Sequence, residues 1–221
     1  MTVILVLVTF MGFILFDYVL HKKDLKQAEP EAARALPPSL KPAFVEGFLV
    51  PENLRYHPGH SWIARERRNL ARVGVDEFAA ALAGKIEKIE LPKPGTWVRQ
   101  GQKVVAFTRH GEKAEMVSPT EGEVVEINQE VLDDPAVVRK DPYGQGWLMT
   151  VHVPDEEGTL RNLVPTNLVR SWIRDAVERL YALQSPALGM AAADGGRPVD
   201  DLLEGLPDAD WKKVTSEFFL S

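Results

Sequence analysis

The chain opens on an uninterrupted apolar run. Residues 3–20 read VILVLVTFMGFILFDYVL, with Asp17 as the one charge, and as a helix they would span roughly 27 Å, enough to cross the hydrocarbon core of a bilayer. Only Met1 and Thr2 precede the run and HKK follows it, so the pattern predicts a retained transmembrane helix over 1–22, not a cleaved signal peptide. Asp17 lies a turn from the end of the span, where it can reach the headgroup region beside Lys22 and Lys23. The downstream cluster of His21, Lys22, Lys23 and Lys26 places the N-terminus outside and the rest of the chain in the cytoplasm, at a bacterial-type inner membrane. Over 23–50, Pro30, Pro37, Pro38 and Pro42 disfavour a long helix and predict a semi-rigid spacer. Its last residues, Phe44, Phe48, Leu49 and Val50, are apolar and predict docking on the domain or on a partner.

The period then shortens to two. IEKIEL (86–91), KVVAFTR (103–109), GEVVEIN (122–128) and WLMTVHV (147–153) alternate as half-buried strands do, and predict a mostly β domain over 51–155. Two stretches break the alternation. VDEFAAALAGK (75–85) has helical spacing closed by Gly84, and LDDPAVVRKDPYG (132–144) carries an Asp/Pro helix start. Over 156–185 the period becomes helical, with Leu163, Leu168, Trp172, Ile173, Val177 and Leu180 on one face and Thr166 placed to cap. That predicts an amphipathic helix of about five turns. Residues 186–221 form a linker of small residues and a helical tail. There Asp210 is a candidate N-cap, and Trp211, Val214, Phe218 and Phe219 make a stripe that needs its own domain or another chain to bury it.

Composition narrows the chemistry. A net charge of −6 without a basic, aromatic-interleaved cluster argues against nucleic acid as a partner, and the absence of cysteine excludes thiol, iron–sulfur and Cys-based zinc chemistry. His57 and His60 have metal-like spacing but no third ligand nearby, so packing or hydrogen bonding is the expected role and no metal site is expected. Asp133/Asp134 and Asp200/Asp201 sit beside Pro or Leu at helix starts, where carboxylates favour the helix dipole. No nucleophile elbow, phosphate loop or zinc-protease helix competes, so no catalytic residue and no enzyme activity is expected.

Four segments together, YHPGHSWI (56–63), VGVDEFAAALAGKIEKIELPKPGTWVRQGQ (73–102), SPTEGEVVEINQEVLDDP (118–135) and DPYGQGWLMTV (141–151), resemble the H protein of the glycine cleavage system. The resemblance implies a barrel-sandwich hybrid of the biotinyl/lipoyl type with flanking helices. It also implies a family whose members carry lipoate on a hairpin-tip lysine and shuttle an aminomethyl group between partner enzymes. In that family the lysine lies seven residues before the serine of the Ser-Pro pair, and here that position is Gly111, with Thr108, Arg109 and His110 in place of the usual flank. His110-Gly111 suits a two-residue loop that needs positive φ. The neighbouring lysine, Lys113, lies two residues along the strand, about 6–7 Å from the apex, where pairing with Glu112 or Glu115 is the expected role.

Together these features predict a non-catalytic, membrane-anchored accessory or scaffold subunit that stabilises a larger membrane complex through a degenerate H-protein-like domain, with no cofactor. Trp172, Trp211, Phe218 and Phe219 are its expected protein contacts. One span followed by a β-rich cytoplasmic domain is similar in layout to the H subunit of purple bacterial photosynthetic reaction centres, and a respiratory complex fits the layout equally. The alternative is a membrane-tethered lipoyl carrier using Lys113.

Overall fold

The computed structural model describes residues 43–183, 201–203 and 210–220. The expected transmembrane helix, the orientation read from it and most of the proline-rich spacer lie outside the described residues. Among the described residues no helix is long and apolar enough to cross a membrane.

The first described residues form a hairpin, β1 (Phe44–Val45) and β2 (Phe48–Leu49), turned by Glu46 and Gly47 at φ 50° and 85°. This is the last part of the segment expected as spacer. Val45, Phe48 and Val50 are buried in the domain core while Phe44 stays exposed. Three apolar side chains on so short a stretch favour docking over an extended linker. The Tyr143 hydroxyl fastens the hairpin by donating to the Leu49 carbonyl at 2.6 Å.

The main sheet begins with β3 (Arg55–Tyr56), β4 (Ser61–Arg67) and β5 (Leu70–Val75). Trp62 lies opposite Gly74 in the β4–β5 register, and a side chain at Gly74 would run into the indole. The glycine lets Trp62 lie flat against the sheet, and its Nε1–H donates to the carbonyls of Val75 and Pro142 at 2.9 and 3.1 Å. Helix α1 (Glu77–Ala83) follows. The Asp76 carboxylate caps it by accepting from the Ala79 amide at 2.8 Å, and Gly84 at φ 68° ends it. Six consecutive buried residues, Phe78 to Ala83, make α1 a core helix apolar on every side.

Next come β6 (Lys88–Glu90), β7 (Trp97–Val98), β8 (Lys103–Arg109), β9 (Glu112–Val117) and β10 (Gly122–Ile127). Two short helices follow, α2 (Gln129–Asp133) and α3 (Ala136–Lys140), and then β11 (Met149–His152). Asn128 caps α2, and Asp134 accepts from the Ala136 amide at the start of α3, while Asp133 lies at the end of α2 and accepts from the Gln129 side-chain amide at 3.1 Å. All pairings are antiparallel. A six-stranded sheet has the order β3-β4-β5-β11-β10-β7, and a three-stranded sheet has the order β6-β8-β9.

The expected five-turn helix is divided. A short α4 (Glu156–Arg161) ends at Asn162, and the continuous helix α5 (Val169–Ala182) starts only after Pro165 and a single 3-10 turn. Pro165 sits at ψ 136°, outside the helical region, which separates the two pieces. Thr166 does not cap α5, because its hydroxyl takes a hydrogen bond from the Arg55 guanidinium.

The tail helix α6 (Trp211–Phe219) is capped as its sequence predicts, the Asp210 carboxylate accepting from the Lys213 amide at 3.0 Å. It packs along β9 and against α1. Trp211 Nε1 donates to the Ala83 carbonyl at 3.3 Å, Phe218 meets Phe78 edge-on at 5.3 Å, and Phe219 meets Phe107 at 6.0 Å. Trp172 of α5 stacks on the His60 ring at 4.5 Å. Of the four residues expected as contacts for another chain, Trp211, Phe218 and Phe219 are buried in the domain's own core and Trp172 is partly buried against it, since an aromatic stripe finds its nearest apolar surface within the same fold.

Candidate functional site

The exposed end of the three-stranded sheet is the β8–β9 hairpin. Arg109 pairs with Glu112, which leaves His110 and Gly111 as a two-residue loop at φ 51° and 78°. Both signs are positive, as a type I′ turn demands, and its twist matches that of the strands it joins. A side chain at Gly111 would meet nothing within 4 Å. The His110 amide donates to the Glu87 carboxylate at 3.0 Å, which ties the loop back to the residue that enters β6.

Lys113 lies two residues from the loop, paired with Thr108 in the register. Its ammonium reaches across β8 to Glu90 at 2.7 Å, not to the expected Glu112 or Glu115, because Glu115 faces Lys103 at 3.6 Å and Glu90 also accepts from Lys88 at 2.9 Å. Hydrogen bonds from Lys113 and then Lys88 bring the Glu90 carboxyl down to about 2, and Glu90 in turn raises the Lys113 amine above its usual range. Lys113 is half exposed, with its ammonium engaged by the Glu90 carboxylate.

Directly beside the loop the hairpin carries an ion pair that sequence reasoning missed. Arg109 donates from Nη1 to Asp201 Oδ1 at 3.0 Å, and its Nη2 lies 2.9 Å from Oδ2 in the ion pair, with the Asp201 side chain only 2% exposed. Gly84 leaves the space for it: a Cβ there would come 2.5 Å from Arg109 and 2.6 Å from Asp201. Asp201, expected as a helix-start carboxylate, also accepts from the Leu203 amide at 3.2 Å, so the ion pair is an additional role. The two residues stand 92 apart, so no local pattern signals it.

The two histidines are structural. His60, fully buried at φ 61°, shares a 2.8 Å hydrogen bond between Nδ1 and the second Asp76 oxygen, and its Nε2 has no partner among the described residues. Among the described residues no group of three His, Cys, Asp or Glu could hold a metal ion. His57 Nδ1 accepts from the Gly59 amide at 3.0 Å, which requires a bare nitrogen. Burial first, and then the neighbouring His60, lower its pKa from 6.5 to about 4. Between those values the unfolded chain binds the proton that the folded one refuses, so stability falls as pH drops from 6.5 to 4 and His57 adds no further loss below that. About 3 kcal/mol is at stake. Urea titrations at pH 7 and pH 4 should show this difference in the wild type and its loss in His57→Asn.

An antiparallel β domain displaying a tight hairpin above a helix-filled core is the class of protein that this geometry defines. The family described as glycine cleavage H-protein matches residues 54–175, and the chain belongs to that family. It is 37% identical over 111 residues to the glycine cleavage system H protein of Bifidobacterium longum, covering 50% of this chain and 80% of the relative. Against the H protein of Thermobifida fusca the identity is 39%, over 50% of this chain and 87% of the relative. The crystal structure of an H protein from Mycobacterium marinum superposes with a TM-score of 0.50 at 26% identity, covering 57% of this chain and 98% of that one. The hairpin falls inside the matched region, whereas α6 and Asp201 fall beyond it.

Proposed function

We propose that this chain is a non-catalytic H-protein-type module that no longer carries lipoate and works by holding other proteins. The observation behind this reading is the tip: Gly111 occupies the position that the resemblance assigns to the cofactor lysine, and it forms an unbroken two-residue loop with His110. No shifted register is needed to explain the missing amine. The apolar run at 3–20 supports a membrane tether for the module, with its domain on the cytoplasmic side. The partner on this reading is an integral membrane assembly, of the respiratory or photosynthetic kind that the layout of span, spacer and β-rich domain suggests.

Membership of the H-protein family favours a second reading, a lipoyl carrier using Lys113. Against it stands the two-residue displacement from the apex, with the Lys113 side chain drawn across the sheet to Glu90. Intact-mass measurement of the chain purified from its own membranes separates the two. An unmodified mass is expected. A lipoyl-sized increment that disappears in Lys113→Arg would establish the carrier instead. Partners co-purifying after mild detergent extraction are expected, and a chain that always elutes alone would rule out the holding role.

A further inference from the structure

Where α6 lies along β9, the two elements enclose a cleft of about 410 Å³. Lys103 and Lys113 enter it from the β8–β9 hairpin, Lys212 and Lys213 from the first turn of α6, and the carboxylates facing it are Glu115 and Asp210. Among the described residues, four ammonium groups against two carboxylates leave a surplus of two positive charges. Neither acid is free to neutralise more: Glu115 faces Lys103, and Asp210 accepts the Lys213 amide. Lys113 is engaged from outside the cleft by Glu90, which Lys88 shares. Lys212 and Lys213 have no ion-pair partner among the described residues.

Like charges gathered on one concave surface raise a positive potential that an anion relieves. We infer that this cleft binds the phosphate group of a small phosphorylated molecule. A phosphate monoester carries about −1.5 to −2 charge and three terminal oxygens, which match the surplus and can accept from several ammonium groups at once. The volume sits near the lower end of the roughly 300–1,000 Å³ typical of small-molecule sites, enough for the phosphate and a short carbon body. Two of the four lysines belong to α6, beyond the region shared with the H-protein relatives, so the site is a feature this chain adds to the fold. The inference shares with the proposed function only the free amine of Lys113, and intact mass reports on that amine independently of binding.

The test is lysine-selective NMR of the full chain titrated with glycerol 3-phosphate at constant ionic strength, with inorganic phosphate and sodium chloride in parallel. Saturable shifts confined to Lys103, Lys113, Lys212 and Lys213 are expected, with the ester binding more tightly than inorganic phosphate. Lys212→Gln and Lys213→Gln should each weaken binding about two- to fivefold, as partly exposed charge pairs do, and Lys140→Gln on α3 should leave it unchanged. Shifts reproduced by chloride, shifts spread over all surface lysines, equal binding of ester and inorganic phosphate, or wild-type affinity in the Lys212→Gln/Lys213→Gln double variant would each overturn the site.

Discussion

Replacing Phe218 by alanine is expected to remove about 3–5 kcal/mol of stability, the range for deleting a fully buried aromatic ring from a core. Phe218 is 1% exposed and lies against Phe78, with the Arg179 guanidinium 5.2 Å over its ring. The loss would not stay local. Helix α6 also contributes Trp211, Val214 and Phe219 to the same core, and without Phe218 it keeps fewer anchors on α1 and β9. Urea unfolding followed by far-UV circular dichroism should show the midpoint falling. A change below about 1 kcal/mol, the size typical of surface substitutions, would mean that α6 does not dock as described.

The second large effect is expected beside the hairpin loop. Asp201→Ala leaves the Arg109 guanidinium, itself only 12% exposed, without its carboxylate, and breaking one side of a buried pair costs about 3–5 kcal/mol. Removing both charges should cost less than the sum of the single changes. Arg109→Met/Asp201→Ala compared with each single variant gives the coupling directly, and additive single effects would show that the pair is not formed. Hydrogen exchange should locate the damage. Amides of β8 and β9 near His110 and Gly111 are expected to exchange faster in Asp201→Ala, because this ion pair joins the tip-bearing strand to the tail.

These two sites also mark what can and cannot be read along a chain. The tip was legible because its causes are local: two adjacent residues that tolerate positive φ, flanked by alternating strands, specify a tight hairpin whatever surrounds them. The Asp210 cap was legible for the same reason, since it bonds an amide three residues away. Arg109–Asp201 was invisible because its partners are far apart in sequence and adjacent only in space. Likewise no chain neighbour of Lys113 is its partner, because the ammonium reaches across one strand to Glu90.

The stripe of Trp211, Val214, Phe218 and Phe219 shows the division clearly. Helical spacing behind an aspartate established that a helix forms and that one face must be buried, since period and capping are properties of the segment alone. Which surface buries that face is a property of the whole fold. It depends on how α1, β8 and β9 present Phe78, Ala83 and Phe107 after the sheets have assembled, and no spacing within residues 210–220 encodes that. The sequence by itself determined the β-rich domain, the hairpin with Gly111 at its apex and the amphipathic tail. Tertiary structure decided that the tail closes on its own domain, that it bonds the hairpin through Asp201, and that it brings a second pair of lysines beside Lys103 and Lys113.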